Sequence, residues 1–495
     1  MTDTASNTER NAGPGPWVWP LVICLYFAFQ VAWRRLLGGG LGLDEAQMLL
    51  WSQQLAWGYG PQPPLYSWLQ WGVLGLVGDP LLALAILKNI LLAGFYLAVW
   101  RLLRSTHPPD VAGLATLGLF LVPQIAWDCQ RDMTHSVLVL TMAALTTLAF
   151  WTRTLQGRRG GWALFGLLVG LGMLSKVNFA LVPASLLGAA LLTPGLRTRL
   201  AGKGLLIAAG VAVLIMAPPY GWAVLHPDLA LSSAGELKRA AWSPAIAGRG
   251  LIELGKDLLG CLALAGLILG LIRWRRAAPP MADAVAGPLE GFLLRVLLIG
   301  VGFTALGIAA TGTTHVRDIW LLPVIYLGAP LLALVALRRI GPAGRRILVR
   351  VIAGLVCLVA VALAVHIRYG DPGHPALRRA PVADLAAAAL ARHPAPTRII
   401  AAPDWLAGSL IYWRPDLPVA SPQHPGPPPD AAAGPVLLLT WREKPGSVEH
   451  IAARLSALWE STVSPGASEP LEAPFPPQPK VSFGIEVTPL AVSRP

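Results

Sequence analysis

The acidic pair Asp44-Glu45 is the first feature of the sequence that could do chemistry. It follows an apolar run of membrane-span length and precedes an amphipathic, aromatic-rich stretch, a pattern typical of a helix at a membrane surface. Two carboxylates at a water–lipid boundary could act as a general base toward an acceptor hydroxyl. Capping is the alternative, because an aspartate before a helix satisfies free backbone N–H groups. We take Asp44 and Glu45 as candidate catalytic residues.

A second group of ionisable residues follows the third apolar run, with Asp128, Arg131, Asp132 and His135 within eight positions. Asp132 lies at or near the start of the next helix, where capping is again the alternative. Such a cluster at a membrane boundary is costly to keep without a role. Asp132 is therefore a candidate catalytic residue, and Asp128 and Arg131 are candidate substrate-binding residues.

Three basic residues could bind an anion. Lys176 lies between two apolar runs in LGMLSKVNFAL, where it could also extend toward lipid headgroups. His315 and Arg317, in TTHVRDIWLLP, have a similar setting. Cations gathered on one face would form a cradle for a lipid phosphate, because ionised donors make strong hydrogen bonds to phosphate oxygens.

The segment YGPQPPLYSWL contains a double proline that predicts an extended, stiff chain along a cavity wall. A stiff loop without a binding role is the alternative. We take Gln62, Pro63, Pro64 and Tyr66 as candidate substrate-binding residues.

A metal site is a further alternative, built from Asp128, His135, His226 and His315. These residues are far apart in sequence, and the four cysteines have neither metal-ligand nor disulfide spacing. We assign no metal ligands and no certain cofactor, and a divalent metal stays an open alternative.

The elements that must position these residues are transmembrane helices. Of the 495 residues, 55% are hydrophobic and 13% charged, whereas soluble domains have about 25% charged residues. A spanning helix needs about 20 mainly apolar residues. We predict about eleven spans, near 17–36, 82–102, 111–127, 136–152, 161–174, 178–193, 204–224, 250–272, 291–311, 319–337 and 347–366. The pair that meets at Ser175-Lys176 is short and could be a broken or re-entrant element.

The distribution of arginine and lysine predicts the orientation. With a cytoplasmic N-terminus, the loops that return to the cytoplasm are basic, as the positive-inside rule requires. They cover 101–104, 153–159, 197–203, 273–276 and 338–346. Arg34-Arg35, after the first span, is the exception. The candidate residues then share the opposite face, in the loops at 37–81, 128–135, 176, 225–249 and 315–318.

The composition divides the chain into three parts. Residues 1–16 form a polar, cytoplasmic tail, and 17–366 form the transmembrane catalytic domain with its long outer loop 37–81. From 367 to 495 strand-like runs at 398–400, 436–439 and 481–487 alternate with helix-like runs at 384–393 and 447–458, which predicts a small periplasmic α/β domain. The Pro-rich stretch 421–435 is a predicted surface loop. The net charge of +13 lies in loops between spans, without the aromatic interleaving of a nucleic-acid site, so no nucleic acid is expected.

Over residues 15–340, these motifs resemble the GT-C glycosyltransferases. The pattern is an acidic pair in the first outer loop, a Q-P-P-L segment, an aspartate opening the fourth span, L-x-x-L-S-K, and a basic residue before W-L-L-P. More narrowly, it is similar to the dolichyl-phosphate-mannose protein mannosyltransferase-like group, which includes the aminoarabinose and galacturonic acid transferases of bacterial lipid A.

The resemblance implies inverting sugar transfer from an undecaprenyl- or dolichyl-phosphate donor to an envelope lipid, glycan or protein. Asp44 would then be the general base or orient the acceptor, and Lys176 and Arg317 would neutralise the departing phosphate. Many relatives have a lysine before the double proline, where Gln62 supplies a hydrogen-bond donor but no charge. The expected location is the bacterial inner membrane, with the active site on the periplasmic face and membrane lipids around it. A transporter or flippase of lipid-linked saccharides is the alternative, and a non-catalytic scaffold is a third.

Overall fold

A mainly helical bundle with a C-terminal sheet is seen in the computed structural model of the protein. The structure describes residues 15, 17–233, 235, 238–277, 279, 287–315, 317–371, 374–429, 434–443, 446–476 and 478–493. The predicted tail 1–16, apart from Gly15, and part of the predicted loop 421–435 lie outside the described residues.

Twenty α-helices are described. Those before the C-terminal region are α1 (Val18–Leu37), α2 (Leu43–Trp51), α3 (Leu65–Val77), α4 (Pro80–Leu103), α5 (Pro109–Leu117), α6 (Cys129–Arg131), α7 (His135–Ala149), α8 (Gly161–Met173), α9 (Leu181–Leu191), α10 (Pro194–Arg197), α11 (Gly204–Leu225), α12 (Pro227–Ala230), α13 (Pro244–Arg275), α14 (Pro288–Thr311), α15 (Leu322–Ile325), α16 (Gly328–Leu337) and α17 (Pro342–Tyr369). The last three are α18 (Val382–Arg392), α19 (Asp404–Trp413) and α20 (Val448–Trp459).

Local sequence explains several helix starts. Pro80 begins α4, where its missing N–H costs nothing, and the carboxylate of Asp79 caps the helix by accepting from Leu82 N at 2.9 Å. Ser243 caps α13 in the same way, accepting from Ile246 N at 3.2 Å, with Pro244 as the first helical residue. Short polar caps followed by proline thus set where two long apolar helices begin.

Within the described residues, seven helices are long and apolar enough to cross a membrane, or up to nine if each of two bent pairs is one span. The bent pairs are Pro109–Leu121 with Gln124–Arg131, at 81°, and Val177–Leu191 with Pro194–Leu200, at 108°. Two shorter apolar helices are Gly161–Met173 and Leu322–Leu337. Every predicted apolar stretch falls on one of these elements. The count of eleven spans is not confirmed, because four of the stretches are bent or too short to count as simple crossings.

The described strands are β1 (Lys238–Arg239), β2 (Thr313–His315), β3 (Arg398–Ala402), β4 (Val419–Ala420), β5 (Val436–Trp441), β6 (Thr462–Pro465), β7 (Glu469–Phe475) and β8 (Gln478–Ser493). The first two pair with each other, and the rest form one sheet of order β4-β3-β5-β8-β6, with β7 beside β8. Strand β3 runs parallel to β4 and β5, whereas β8 is antiparallel to its neighbours.

Both faces of this sheet are covered. Every residue of β5 is buried, and Leu437 belongs to the large core that continues into the helical bundle, whereas Leu438 belongs to a second core beneath α20. Alternate residues of a strand point to opposite faces, so one strand contributes to both cores. The strands predicted at 398–400, 436–439 and 481–487 lie in β3, β5 and β8, and the predicted helix-like runs correspond to α18 and α20.

The C-terminal region packs closely on α2 and the loop before it. A Cβ on Gly408 of α19 would lie 2.0 Å from the carbonyl oxygen of Ala46, so only glycine permits this helix crossing. Trp405 Nε1 donates to Leu41 O at 3.1 Å, and Gly40 N donates to Arg378 O at 2.7 Å. Residues 38–42 are therefore held between the bundle and the C-terminal region.

Candidate active site

Asp44 lies in the first turn of α2, which begins after Gly42. The neighbouring Glu45 accepts from Gly42 N at 2.9 Å, so Glu45 and not Asp44 satisfies the start of this helix. Asp44 Oδ2 instead accepts from the backbone N and the hydroxyl of Thr134, at 3.3 and 3.4 Å. The capping alternative for Asp44 therefore does not hold for its own helix, and its carboxylate is aimed at the start of α7.

Glu45 is 3% exposed and is surrounded by cations. Arg34 Nη2 lies 3.1 Å from Glu45 Oε2 and Lys88 Nζ lies 3.7 Å from Oε1. Arg378 Nε also donates to Oε2, at 3.2 Å. Burial alone would raise the pKa of Glu45, but Arg34, Arg378 and Lys88 together hold it well below its usual value. Both carboxylate oxygens are engaged. These contacts favour an anchoring role over the predicted catalytic one, which stays a prediction.

Asp44 has the opposite electrostatic setting although it is the adjacent residue. Burial raises its pKa to about 7, and the nearby negative charge of Asp132 adds to the rise. Lys176 and Lys88 oppose it. A carboxyl group with a pKa near neutrality can exchange a proton at physiological pH, as a general base must. Asp44 is therefore the better placed of the acidic pair for the predicted catalysis.

Asp132 is the residue after α6 and lies three residues before α7 begins at His135, so it does not itself open that helix. Arg378 Nη2 lies 3.5 Å from its Oδ1. Arg131, next to it, pairs with Asp128 at 3.3 Å and with Asp371 at 3.5 Å. The structure thus brings the two predicted aspartates, Asp44 and Asp132, into one electrostatic cluster.

A cavity of about 400 Å³ lies beside Asp132, between the bundle and the C-terminal sheet. Gly42 and Leu43, just before Asp44, form part of its wall. Its ionisable lining includes Arg131, His366, Asp371, His374 and Glu443. A cavity with ionisable groups in its wall, Asp132 among them, could receive a hydroxylated substrate.

Lys176 lies at the break between α8 and the turn Val177–Ala180. Its Nζ donates to Ser136 Oγ at 2.9 Å, and its charge acts on Asp44. The turn after Lys176 contacts the segment that follows Arg317, because Asn178 Nδ2 donates to Trp320 O at 2.8 Å. Arg317 acts electrostatically on Asp128. Two of the three predicted cations therefore lie on neighbouring loops.

His315 is not part of this cluster. It pairs in register with Lys238, in the small sheet of β2 and β1. It acts electrostatically on Glu253 and Asp257 of α13. Within the described part of the chain its interactions are with these elements, so the predicted place of His315 in a cradle with Lys176 is not seen.

The double-proline segment lines a second cavity, of about 490 Å³. Gln62, Pro63 and Pro64 form one side, and Tyr220 and Trp222 of α11 are on the other. Val177 also lines it, directly after Lys176. This wall is mostly apolar and aromatic, as a site for a lipid chain would be.

Tyr66 is fully buried, and its ring centroid lies 5.5 Å from that of His135. Burial raises the pKa of Tyr66 well above its usual value, and the charges of Glu45 and Asp44 raise it further. Tyr66 therefore remains a neutral hydroxyl behind the acidic pair and not on the wall of either cavity described above.

The alternative metal site is not assembled. Among the residues that the structure describes, no group of three or more His, Cys, Asp or Glu side chains is arranged to hold a metal ion. His226 stacks on Trp222 with centroids 4.7 Å apart, His135 is buried beside Tyr66, and His315 lies in β2. The three histidines proposed for that site therefore lie in separate environments.

Three basic residues that contact Glu45 were not predicted as site residues: Arg34, Lys88 and Arg378. For two of them the sequence contains an indication of a buried partner. Arg34 belongs to the one pair that departed from the positive-inside pattern, and the structure explains it as a buried partner of Glu45 at 5% exposure. Lys88 is a lone lysine inside an apolar span, which is costly without a partner. For Arg378 the sequence contains no such indication.

The fold is that of a GT-C glycosyltransferase. The crystal structure of ArnT from Cupriavidus metallidurans in the apo state matches it with a TM-score of 0.58 and 15% identity, covering 94% of this chain and 97% of that one. The structure of the same protein bound to undecaprenyl phosphate matches with a TM-score of 0.56 and 14% identity, and it covers 95% of this chain and 97% of that one.

The sequence relatives narrow the class. Residues 61–222 match the family model described as dolichyl-phosphate-mannose-protein mannosyltransferase. The lipopolysaccharide core galacturonosyltransferase RgtB of Rhizobium johnstonii is 31% identical, over 93% of this chain and 94% of its own length. RgtA of the same organism is 32% identical, over 90% of this chain and 89% of its own length. The chain therefore belongs to the family of GT-C glycosyltransferases that includes RgtB and RgtA, and it is an enzyme.

The protonation of Asp44 predicts a pH dependence. If Asp44 accepts a proton from the acceptor, kcat/KM should fall as the pH is lowered through about 7, because only the ionised carboxylate is a base. Initial rates over a pH series measure this, with a parallel thermal-stability series to exclude unfolding. A profile that is flat through neutral pH would contradict the assignment.

Proposed function

We propose that the protein is an inverting glycosyltransferase that moves a galacturonosyl residue from a polyprenyl-phosphate donor to a lipopolysaccharide acceptor. Asp44 carries this proposal, because its buried carboxylate, with a pKa of about 7, lies near both Lys176 and the cavity at Asp132. The names of the two galacturonosyltransferases support the sugar and the acceptor. The undecaprenyl phosphate complex of ArnT supports the donor class.

The larger, apolar cavity would hold the donor chain. Pro63, Pro64 and Trp222 offer an apolar wall, and Val177 connects this wall to Lys176. A lipid phosphate at that position would meet the Lys176 ammonium, while Gln62 adds an amide donor at the cavity edge. The acceptor would enter through the cavity at Asp132, whose wall includes Gly42 and Leu43, just before Asp44.

The reaction then has a simple balance. An acceptor hydroxyl attacks C1 of the donor sugar while Asp44 takes its proton, and the C1–O bond to phosphate breaks on the opposite face. The leaving polyprenyl phosphate keeps the electron pair and gains a negative charge. Lys176 and Arg317 would neutralise this charge, and fixed cations in a partly dry site stabilise it more than water does.

The helix directions support a periplasmic active site in the bacterial inner membrane. Thr134, which contacts Asp44, precedes α7, whereas the basic residue Arg153 lies near the other end of the helical segment His135–Thr154. A segment of that length spans about 30 Å. By the positive-inside rule the Arg153 end is cytoplasmic. We propose residues 17–366 as the transmembrane domain and 367–495 as the periplasmic one.

Lys176→Ala is expected to weaken use of the donor more than use of the acceptor. The substitution removes the ammonium that acts more strongly on Asp44 than Lys88 does, so KM for the donor should rise and kcat should fall, together by about 10²-fold in kcat/KM. Steady-state kinetics with each substrate varied in turn measure this. Lys256→Ala, which removes an exposed lysine paired with Glu253, is the control. Equal losses for both substrates would contradict the phosphate role.

The proposal is tested with the purified protein in lipid nanodiscs. Galacturonosyl undecaprenyl phosphate and lipopolysaccharide lacking its uronic acids are supplied, and mass spectrometry follows the acceptor. The expected product gains one uronosyl unit, and NMR shows the anomeric configuration opposite to that of the donor. No transfer, or retention of configuration, would overturn the proposal. Supplying the aminoarabinose donor instead shows whether the sugar assignment holds.

A further inference from the structure

Arg378 is a buried arginine outside the helical bundle that carries the aspartates. It lies in the turn Leu377–Arg379, between α17 and α18, and is 5% exposed. The segment matched by the family model ends well before it, at residue 222. A buried guanidinium is costly to desolvate and is kept only with close partners.

The partners of Arg378 are the residues of the candidate active site. Its Nε donates to Glu45 Oε2 at 3.2 Å, and its Nη2 lies 3.5 Å from Asp132 Oδ1. The same Nη2 donates to the Arg131 carbonyl at 2.5 Å. The guanidinium therefore connects α2, which carries Asp44, with the turn that carries Asp132.

The loop before α2 is shaped to admit this side chain. A Cβ on Gly42 would lie 2.3 Å from Arg378 Nη2 and 2.3 Å from Asp132 Oδ1. Any other residue at position 42 would therefore displace the guanidinium or the carboxylate. On its remaining edge, Arg378 Nη1 lies 3.2 Å from His366 Nε2.

We propose that Arg378 is a positioning residue for the transfer reaction, through which the C-terminal region fixes the spacing of Asp44 and Asp132. This inference rests on the proposed function. The planar guanidinium holds two carboxylates in fixed directions, which a lysine cannot do. Small displacements of catalytic groups cost large factors in rate.

Arg378 also contributes charge at the site, because it interacts electrostatically with Asp44 as well as with Glu45 and Asp132. Removing this cation makes ionisation of Asp44 less favourable, so the acid limb of the pH–rate profile should move to higher pH. Among the described residues, other charged groups near the pair are Glu45 and Arg131, adjacent to it in sequence, Lys88 of α4 and Lys176 after α8, which act on Asp44, and, beyond Arg378, His366 and Asp371.

The test compares Arg378→Gln, Arg378→Lys and a neighbouring control, Arg379→Gln, in the full chain in nanodiscs. Arg379 lies in the same turn and donates to Leu37 O at 3.3 Å. For Arg378→Gln we expect kcat to fall on the order of 10²-fold, little change in KM for the donor, and an acid limb moved to higher pH. Arg378→Lys should restore the acid limb but only part of kcat. Arg379→Gln should resemble the wild type.

Each outcome decides the matter. A wild-type kcat and an unmoved acid limb in Arg378→Gln overturn the inference, as does a lower kcat with an unmoved acid limb, which marks a structural residue only. If Arg378→Gln does not fold, Arg378→Lys decides, because full kcat there overturns the need for the guanidinium. If the wild-type protein transfers no sugar, the proposed function fails instead.

Discussion

Asp44→Asn is expected to lower sugar transfer by roughly 10²–10⁴-fold, the contribution of a general base. The amide keeps the shape of the side chain and can still lie beside Thr134, but it cannot accept the proton of the acceptor hydroxyl. Initial rates in nanodiscs measure the loss. Donor binding should be kept, because the predicted phosphate contacts come from Lys176 and Arg317.

The matched control for this variant is Asp228→Asn. Asp228 is an exposed aspartate in the short helix α12, where it pairs with Arg454 of α20 at 3.4 Å. It should transfer sugar at the wild-type rate. Both variants should elute as the wild type does in size-exclusion chromatography. Transfer by Asp44→Asn at the wild-type rate would show that another group accepts the proton.

Glu45→Gln is expected to destabilise the protein by about 3–5 kcal/mol, the usual cost of removing one partner from a buried ion network. Arg34, Lys88 and Arg378 would lose the carboxylate that they share, and three cations would remain close together with little water around them. Unfolding in mixed micelles, with the denaturing detergent increased stepwise, measures the loss in the full chain.

The pH supplies an independent check of the same carboxylate. Because the folded-state pKa of Glu45 lies well below its usual value of 4.5, its contribution to stability is present above that value and is lost as the pH falls.

The control for Glu45→Gln is Glu253→Gln, which removes an exposed partner of Lys256 and should leave stability nearly unchanged. A Glu45→Gln protein as stable as this control would mean that the network contributes nothing to folding.

Much of the fold could be predicted, because its cause is local composition. Apolar stretches such as 82–102 and 136–152 must find lipid or each other, and the helices Pro80–Leu103 and His135–Thr154 lie there. The strand at 436–439 could also be predicted, because its residues form a short apolar run. The order of the C-terminal sheet was not predictable, since β8 inserts between β5 and β6 through pairings that no local pattern records.

The candidate site, too, could be predicted only in part. The sequence indicates Asp44 and Glu45 as a candidate catalytic pair, but only the tertiary structure distinguishes their roles. Successive helical residues point in directions about 100° apart, so Glu45 meets three cations while Asp44 meets Thr134 and Asp132. Arg378 joins Glu45 across 333 positions of sequence. Contacts of that separation depend on how the C-terminal region docks, which neither residue type nor spacing specifies.

The docking of residues 38–42 has a consequence for hybrid proteins. Gly40 and Leu41 are bonded to Arg378 and Trp405, and Ala46 lies against Gly408, so two segments more than 300 positions apart share one interface. A chimera of two related transferases joined after α17 would pair the first loop of one parent with the docking surface of the other. Swapped acceptor specificity is therefore best sought by exchanging residues 38–51 together with the C-terminal region, as a single interlocked module.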